Sequence, residues 1–452
     1  MTKEEHNDER VDMLIDVHVP LDQQPNQASH EFSYDFLKVY YGKLFPYSDI
    51  FRWMSYGNDG KHPACDASYF SRREFSFTLE NDVYLRFQSF KSEFELENSI
   101  KEKCPHKIDI GPVYSVDPSK RHAYAQAGNN VFTPVERELI FDIDITEYDD
   151  VRYCCSGSDI CLNCWPLMAI AIKVIDTALR DDFGFNQILW VYSGRRGVHC
   201  WVCDGRARRL SNEVRSSIAD YFHVYKGGEN SLKKASLTGL ALHPLLARAY
   251  TDVLLDYFER KLIHNQRLFS LEERYQKILD IISDKSVASE IHEKWQGNKR
   301  SSVSEEVRWD QLKSVLQSTK HKGLRRCVEE IVFTYTFPRI DMEVSKHMNH
   351  LLKAPFCVHP KTGRVCVPID PKYCEDFDPT SVPTLSMLIE ELNAGGARMV
   401  VENAEWEGTS LDQSIRFFRS SFLQPLMKSC KDEMESSYNA KIQQSNKSSL
   451  SW

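Results

Sequence analysis

The stretch Glu138-Leu-Ile-Phe-Asp-Ile-Asp-Ile-Thr146 alternates polar and apolar side chains with the two-residue period of a β-strand. Leu139, Phe141, Ile143 and Ile145 share one face, and Asp142 and Asp144 share the other, roughly 7 Å apart along the strand. Two carboxylates this close repel each other, and a divalent cation between them removes the repulsion. Their hard oxygen atoms suit Mg²⁺ or Mn²⁺. The stretch therefore predicts a site for two such ions, as in polymerases; the alternative is a solvated Asp-x-Asp at a strand end.

A third carboxylate is expected from residues 337–344, which also alternate like a strand. The apolar side chains of this run would face inward, leaving Asp341 and Glu343 together on the opposite face. Periodicity does not choose between these two carboxylates.

The surrounding sequence predicts a mixed α/β fold, because alternating strand runs are interspersed with amphipathic helical patterns. Strand patterns are lost between about residues 227 and 330, which indicates a helical insertion into a discontinuous catalytic domain. The predicted divisions are a flexible N-terminal tail (1–30), a catalytic domain (31–225 and 336–430), an all-helical subdomain (226–335) and a disordered C-terminal tail (431–452).

Four cysteines fall within eleven residues and include a CxxC pair, the usual half of a zinc knuckle. This spacing predicts one structural Zn²⁺ with no open position for water; buried thiols are the alternative. The predicted ligands are Cys154, Cys155, Cys161 and Cys164. Cys200 and Cys203 form a second CxxC, but in an alternating strand their thiols point to opposite faces, so we interpret them as core packing.

A phosphate site is predicted at Ser193-Gly-Arg-Arg-Gly-Val-His199, where two glycines flank an arginine pair between two strands. Glycine lets the backbone approach a ligand closely, and guanidinium groups match phosphate oxygens. The alternative is a hairpin tip with solvated arginines.

Further positive charge is predicted from Arg86, placed on the strand face opposite Leu85 and Phe87, and from Lys353 and His359. Together with the arginine pair they supply the charge that a triphosphate beside two metal ions requires. Two other clusters, Arg206-Arg208-Arg209 and Arg325-Arg326, are interpreted as solvated helix faces.

Composition sets the remaining limits. The 57 Lys and Arg residues against 65 Asp and Glu give a net charge of −8. Any basic surface for nucleic acid is therefore expected to be a local groove. No apolar stretch approaches 18 residues and no signal peptide is recognisable, so we expect an intracellular protein without a membrane span. In a reducing compartment the 13 cysteines are not expected to form disulfides.

These motifs closely resemble the small, catalytic subunit of eukaryotic DNA primase, in the archaeal–eukaryotic primase family. The similarity extends from about residue 33 to about residue 390. The stretches that carry it are 139–155, 189–203 and 349–364, with shorter matches at 44–47, 73–79 and 107–111.

The resemblance implies a mixed α/β primase core with an inserted helical subdomain and a structural zinc motif. It assigns the two Mg²⁺ or Mn²⁺ ions to Asp142, Asp144 and Asp341, and the zinc to the four clustered cysteines. It also implies that Asp109 reads the ribose 2′-hydroxyl. The implied nucleotide contacts are Tyr84, Arg86, Asp109, Ser193, Arg195, Arg196, His199, His350, Lys353 and His359.

The implied function is synthesis of short RNA primers on a single-stranded DNA template from ribonucleoside triphosphates. The implied partners are a large regulatory primase subunit, in a heterodimer, and the DNA polymerase alpha complex, and the expected location is the nucleus. Three other classes of protein share part of this pattern. A polymerase-beta-type nucleotidyltransferase needs an upstream Gly-Ser helix start, which Asn129-Asn130-Val131 does not provide. An Asp-x-Asp glycosyltransferase usually has a secretory anchor, and no such segment is recognisable in this sequence. A non-catalytic, zinc-containing DNA-binding subunit is the remaining alternative.

Overall fold

The computed structural model describes residues 32–125, 132–223, 237, 242–297, 304–318, 324, 326–394 and 406–449. The predicted tail over residues 1–30 and the predicted solvated Arg325 lie outside these ranges. In the described part of the chain, no helix is both long and apolar enough to cross a membrane.

Two antiparallel sheets form the centre of the molecule. The strands are β1 (Arg73–Thr78), β2 (Tyr84–Gln88), β3 (Lys107–Tyr114), β4 (Pro134–Glu136), β5 (Leu139–Asp144), β6 (Ile188–Tyr192), β7 (Gly197–Val202), β8 (Leu352–Lys353) and β9 (Pro368–Ile369). The first sheet has the order β2-β1-β3-β4, with β8 also paired to β3, and the second has the order β5-β7-β6-β9. Together with the helices they confirm the predicted mixed α/β class.

The N-terminal and central helices pack around these sheets. Ser33 caps the first of them, where its hydroxyl accepts a hydrogen bond from the Phe36 amide at 3.1 Å. Against the second sheet, Trp190 of β6 donates its indole N–H to Asp176 of the long central helix at 3.0 Å. The main helices of this part are Tyr34–Lys43, Tyr47–Ser55, Glu93–Lys103, Trp165–Asp181 and Asn212–Tyr221.

The described residues from 242 to 336 form helices and contain no strand, as their pattern predicts. Pro244 opens the first, where its missing N–H costs nothing. Their status as a separate subdomain stays a prediction. The segments are Pro244–Ala249, Tyr250–Leu254, Leu255–Tyr257, Phe258–Leu262, Ile263–Asn265, Glu272–Ile281, Lys285–Gly297, Glu305–Leu316 and Cys327–Thr336.

A buried ion cluster joins the two sheets. The Glu138 carboxylate, next to β5, accepts hydrogen bonds from Arg73 of β1 at 2.9 and 3.0 Å and from Arg137 at 2.6 Å. Arg137 also donates to the Ile110 carbonyl of β3 at 3.1 Å. All three charged side chains are fully buried, so the cluster fixes the first sheet against the strand that carries Asp142.

The strand predicted over residues 337–344 is wrong. Asp341 instead caps a short helix, Met342–Lys346, by accepting hydrogen bonds from the amides of Glu343 and Val344. A capping carboxylate satisfies amides that a helix leaves free, and this local preference outweighs the alternation of Ile340, Met342 and Val344. After it, the chain forms only β8, two isolated bridges and β9 before the helix Leu385–Ala394.

Where the structure describes residues 431–449 it gives them as helix, whereas the sequence predicts a disordered tail over residues 431–452. The helix Asp412–Phe417 continues through Phe418–Leu423 into the helix Gln424–Ser449. Its beginning is anchored by the buried side chains of Leu426 and Cys430. Beyond Pro425 this segment contains neither proline nor glycine, so a helix can continue even though its side chains are polar.

Candidate active site

Asp142 and Asp144 lie on the wall of a cavity of about 450 Å³. In the register of β5 with β7, Asp142 faces His199 and Asp144 faces Gly197. A Cβ atom on Gly197 would lie 2.1 Å from the Ile143 carbonyl oxygen. Only glycine therefore allows β7 to pair this closely beside the two carboxylates.

Asp341 is brought to the same place by the edge of the second sheet. Its backbone N–H donates to the Asp142 carbonyl at 3.0 Å, on the side of β5 that no strand of its sheet covers. Glu343, the other carboxylate that periodicity allowed, is 69% exposed and pairs with Lys346 at 3.1 Å. The structure therefore brings Asp341 to β5 and leaves Glu343 in solvent.

The three carboxylates interact strongly. Burial, then the negative charge of Asp144, then that of Asp341 raise the pKa of Asp142 from 3.8 to about 7. One oxygen of Asp144 accepts hydrogen bonds from the amide and hydroxyl of Thr146, each at 2.9 Å. The other pairs with Arg196 at 2.5 Å. A divalent cation bound between the carboxylates would relieve their repulsion, so this arrangement fits a divalent-ion site.

The hairpin tip between β6 and β7 supplies cationic side chains to this cavity, among them Arg195 and Arg196. Gly194 has a φ of +85°, and a Cβ there would lie 2.9 Å from the Cβ of His359. The Thr362 hydroxyl donates to the Gly194 carbonyl at 2.7 Å. The backbone of the tip is therefore packed against the 359–363 turn, whereas the Arg196 side chain at its end is 54% exposed.

Lys353 connects the two sheets across the cavity. On β8 it lies opposite Asp109 of β3, and its ammonium group donates to the Ser193 carbonyl at the hairpin tip. Ser193 also accepts the Gly197 amide on its hydroxyl at 3.0 Å. One lysine therefore ties the first sheet to the arginine-bearing tip.

Two histidines line the cavity in neutral form, His199 buried and His359 partly buried. Burial, then the charges of Lys353 and Lys107, lower the pKa of His199 to about 3. Burial, then Lys353 and Arg195, lower the pKa of His359 to about 2. In the described part of the chain the buried Nδ1 of His199 has no hydrogen-bond partner. Neutral imidazoles here can serve as hydrogen-bond donors to an anion.

Asp109 also lines the cavity and is 2% exposed. Lys107 pairs with its Oδ2 at 3.1 Å, and the Ser76 hydroxyl donates to the same oxygen at 3.4 Å. Its Oδ1 has no partner within the described ranges. A buried, unoccupied acceptor is suited to a hydroxyl group of a bound ligand.

Tyr84 and Arg86 are not on the cavity wall. Arg86 donates to Glu74 at 3.0 and 3.2 Å, and Tyr84 contacts Ser76 through its hydroxyl at 3.1 Å. The predicted placement of Arg86 opposite Phe87 is wrong, because the β1–β2 pairing is irregular here and Phe87 has a φ of +58°. The guanidinium carbon of Arg86 lies 4.6 Å from the centre of the Phe87 ring.

Several cavity residues were missed from the sequence, although His350, which the resemblance included, does line the wall. Lys107 precedes Asp109 by two residues, so strand periodicity would have placed both on one face. Lys361 belongs to the turn after His359, and His106 carried no local signal. The missed polar residues that line the cavity are His106, Lys107 and Lys361.

The solvated-face reading is wrong for Arg208. It is 4% exposed, pairs with Glu136 at 3.1 Å and lies 3.7 Å over the centre of the Tyr56 ring. The short helix Gly205–Arg208 therefore turns this arginine into the core.

The four clustered cysteines converge next to the start of the helix Trp165–Asp181. Their sulfur atoms all lie within 4.8 Å of one another, and those of Cys161 and Cys164 are 3.9 Å apart. Tetrahedral coordination with bonds of about 2.3 Å separates sulfurs by roughly 3.8 Å. The cluster could therefore hold a metal ion. Cys200 and Cys203, by contrast, are each buried in the core.

Comparison with known proteins identifies the family. The family model described as DNA primase small subunit matches residues 141–371. The DNA primase small subunit of Drosophila melanogaster is 40% identical over 82% of this chain and 85% of its own length. Those of Schizosaccharomyces pombe and Saccharomyces cerevisiae are 40% and 34% identical, over 78% and 88% of this chain and 77% and 94% of their own lengths.

A solved structure also aligns, the polymerase domain of Mycobacterium tuberculosis ligase D in complex with DNA. It covers 80% of this chain and 93% of its own at 11% identity, but its TM-score of 0.33 is too low to support a conclusion. The sequence relatives confirm the resemblance to eukaryotic primase small subunits and the prediction that the chain is an enzyme. The chain belongs to the DNA primase small subunit family.

Proposed function

We propose that this chain synthesises short RNA primers from ribonucleoside triphosphates on single-stranded DNA during the initiation of replication, by two-metal-ion nucleotidyl transfer. One observation carries the proposal: Asp142 and Asp144, with Asp341 hydrogen-bonded alongside, share a cavity with Arg195, Lys353 and other cationic side chains. Carboxylates for metal ions beside cations for a triphosphate are what phosphoryl-transfer chemistry requires.

Asp142, Asp144 and Asp341 would hold two Mg²⁺ or Mn²⁺ ions. Their hard oxygens fit such ions, and a bound cation would offset the burial and the charges of Asp144 and Asp341 that raise the pKa of Asp142. When bound, the ions would favour ionisation of the attacking 3′-hydroxyl and neutralise the departing pyrophosphate.

The cationic wall would bind the triphosphate. Arg195, Arg196 and Lys353 would neutralise its charge, and the neutral rings of His199 and His359 would donate hydrogen bonds to phosphate oxygens. The remaining proposed nucleotide contacts are Tyr84, Arg86, Ser193 and His350.

Asp109 would select ribose. Its free, buried Oδ1 can accept a hydrogen bond from a 2′-hydroxyl. A deoxyribonucleotide would leave this acceptor without a partner inside the protein, and such a loss costs about 1–3 kcal/mol.

The cysteine cluster would hold one structural Zn²⁺, with Cys154, Cys155, Cys161 and Cys164 as its four ligands. The relatives are named small subunits, which implies a larger partner. We propose a heterodimer with a large regulatory primase subunit, association with the DNA polymerase alpha complex, and a nuclear location.

The test is primer synthesis on poly(dT) with ATP and Mn²⁺. Asp142→Ala and Asp144→Ala are expected to abolish dinucleotide formation, because each removes a metal ligand. Glu343→Ala is the matched control, since it removes a nearby carboxylate that is solvent-exposed, and it should retain full activity. Wild-type activity in either Asp variant would remove that carboxylate from the proposed metal site, and absence of dinucleotide formation by the wild-type protein would favour the non-catalytic DNA-binding alternative.

Asp341→Asn separates metal binding from helix capping. Asparagine still accepts the Glu343 and Val344 amides, so the helix Met342–Lys346 keeps its cap, while the negative charge is lost. We expect a loss of activity of at least about 100-fold, corresponding to roughly 2.7 kcal/mol, with an unchanged melting temperature. Full activity would remove Asp341 from the proposed ligand set.

A further inference from the structure

Gln266 is the residue of the helical region that contacts the cysteine cluster most directly. It follows the helix Ile263–Asn265 and is 1% exposed. Its Oε1 accepts the backbone amides of Tyr153 at 2.6 Å and Cys154 at 3.2 Å. Its Nε2 donates to the Cys154 sulfur at 3.3 Å and to the Asn163 carbonyl at 2.7 Å. One amide therefore bridges the two segments that carry the four cysteines.

The polarity of these contacts suits metal-bound thiolates. Four thiolates around one divalent ion carry a net charge of about −2, and N–H donors aimed at the sulfurs stabilise that charge. Besides Gln266, the buried Arg152 donates to the Cys164 sulfur at 3.8 Å, and the Cys161 amide donates to the same sulfur at 3.3 Å. The sulfurs of Cys154 and Cys164 therefore each accept N–H hydrogen bonds from the surrounding protein.

The same region contacts the chain just before the cluster. Arg274 donates to the Gln266 carbonyl at 2.9 Å, and its guanidinium carbon lies 4.7 Å from the centre of the Tyr153 ring. Lys277 lies 5.0 Å from that ring centre and donates to the Asp150 carbonyl at 3.3 Å. The helix Glu272–Ile281 is therefore docked on residues 150–154, next to the side chain that contacts the sulfur.

We propose that Gln266 is a positioning residue for the metal-bound cysteine cluster, and that through it metal binding and docking of residues 263–281 stabilise each other. The side-chain amide of Gln266 makes all four hydrogen bonds only when residues 153–154 and 163 occupy the positions that also bring the cysteine sulfurs together around a metal ion. By linkage, whatever holds those segments together also raises metal affinity. This inference rests on the proposed metal site and is independent of polymerase chemistry.

Metal release is the first test. Zinc-loaded full-length protein is mixed with a chromogenic chelator, and the release rate is compared between wild type, Gln266→Met and Gln266→Glu. Methionine keeps the volume and loses the hydrogen bonds, whereas glutamate keeps the acceptor and loses the donor to sulfur. We expect release about 10–100-fold faster in both variants, the usual effect of removing a side chain that supports metal ligands. The control Gln276→Met, which removes an amide that donates to Asp280 at 2.9 Å, should release zinc at the wild-type rate.

Two further readouts separate positioning from a purely structural role. In Co²⁺-substituted protein, loss of the N–H···S bond should shift the thiolate-to-cobalt charge-transfer band in both Gln266 variants and not in Gln276→Met. Amide exchange over residues 263–281 should accelerate when metal is removed from wild type, and in Gln266→Met should no longer depend on metal.

The outcomes are distinguishable. Wild-type release rates and an unshifted cobalt spectrum in Gln266→Met would overturn the role of Gln266 and leave the metal site intact. Wild-type protein that binds neither Zn²⁺ nor Co²⁺ at the cysteines would overturn the metal site itself, and this inference with it.

Discussion

At the scale of single residues, the ionised Asp142 side chain lowers the stability of the metal-free folded protein. Its pKa is raised from 3.8 to about 7, so the folded state binds this proton more tightly than the unfolded chain does. The folded protein therefore loses stability as the pH rises from about 4 to about 7, and the loss is complete above 7. Because the side chain is still 33% exposed, solvent screening reduces the cost to about 1–2 kcal/mol.

Asp142→Asn should therefore stabilise the metal-free protein while it abolishes catalysis. We expect the free energy of unfolding, measured with urea in EDTA, to rise by about 1–2 kcal/mol at pH 8 and to change little at pH 4. Asp182→Asn is the control of opposite sign, because Arg248 lowers the pKa of Asp182. An Asp142→Asn effect that is equal at the two pH values would contradict the electrostatic origin.

At the scale of elements, the pairing of β5 with β7 depends on Gly197. Gly197→Ala would place a Cβ 2.1 Å from the Ile143 carbonyl, so the strands must separate beside Asp144. We expect a loss of at least about 3 kcal/mol of stability and of most primer synthesis. Gly42→Ala is the control: it lies inside the helix Tyr34–Lys43, where the new Cβ would meet nothing within 4 Å beyond the backbone of its own helix and its chain neighbours, and it should stabilise the protein by about 0.5–1 kcal/mol. Retention of wild-type stability by Gly197→Ala would show that β5 and β7 can separate at no cost.

The first helix also supports the cavity wall, through Phe356. This residue has a φ of +65° between Lys353 and His359, and its carbonyl accepts the buried Tyr40 hydroxyl at 2.8 Å. A strained backbone persists only where its surroundings hold it.

Tyr40→Phe removes this one hydroxyl and keeps the ring. We expect the free energy of unfolding to fall by about 1–3 kcal/mol, and the KM for ATP to rise more than kcat falls, because Lys353 and His359 lose their fixed spacing. Steady-state kinetics on poly(dT) measures both. The matched variant Tyr47→Phe loses a hydroxyl bonded to the Tyr41 carbonyl at 2.9 Å and should change stability alone. An equal rise in KM in both variants would argue against support through Phe356.

At the scale of the whole molecule, the fully buried Glu138 links the two sheets that contribute to the cavity, through Arg73 and Arg137. Arg73 and Arg137 hold the pKa of this carboxyl well below its usual 4.5. Its contribution to stability is therefore present above about pH 4.5 and is lost as the pH falls below that value.

Glu138→Gln leaves two buried guanidinium groups without a counter-charge. We expect it to lower the free energy of unfolding by about 3–5 kcal/mol at pH 7, measured by urea denaturation. Glu343→Gln, on the surface, should change it by less than about 0.5 kcal/mol. A small effect of Glu138→Gln would mean that the sheets are held by apolar packing alone.

Local sequence pattern was sufficient to predict the features that residues close together in the sequence determine. The two-residue period of β5 placed Asp142 and Asp144 on one face, glycine spacing marked the hairpin at Arg195, and the CxxC spacing marked the cysteine cluster. In each case a strand, a turn or a helix start fixes side-chain direction within a few residues. Resemblance to a family then related Asp341 to the pair, which periodicity alone did not.

Tertiary structure alone decided which distant residues meet. Asp341 reaches Asp142 because a capped helix docks on the free edge of β5, and Gln266 reaches Cys154 across more than 100 residues of chain. Lys361 and His106 line the cavity for the same reason. Contacts of this kind depend on how helices, strands and turns pack against one another. The local periodicity of each segment does not specify which distant segment it will contact. Asp142 and Asp144 were thus predictable as a pair, whereas the cavity that gives them a chemical setting was not.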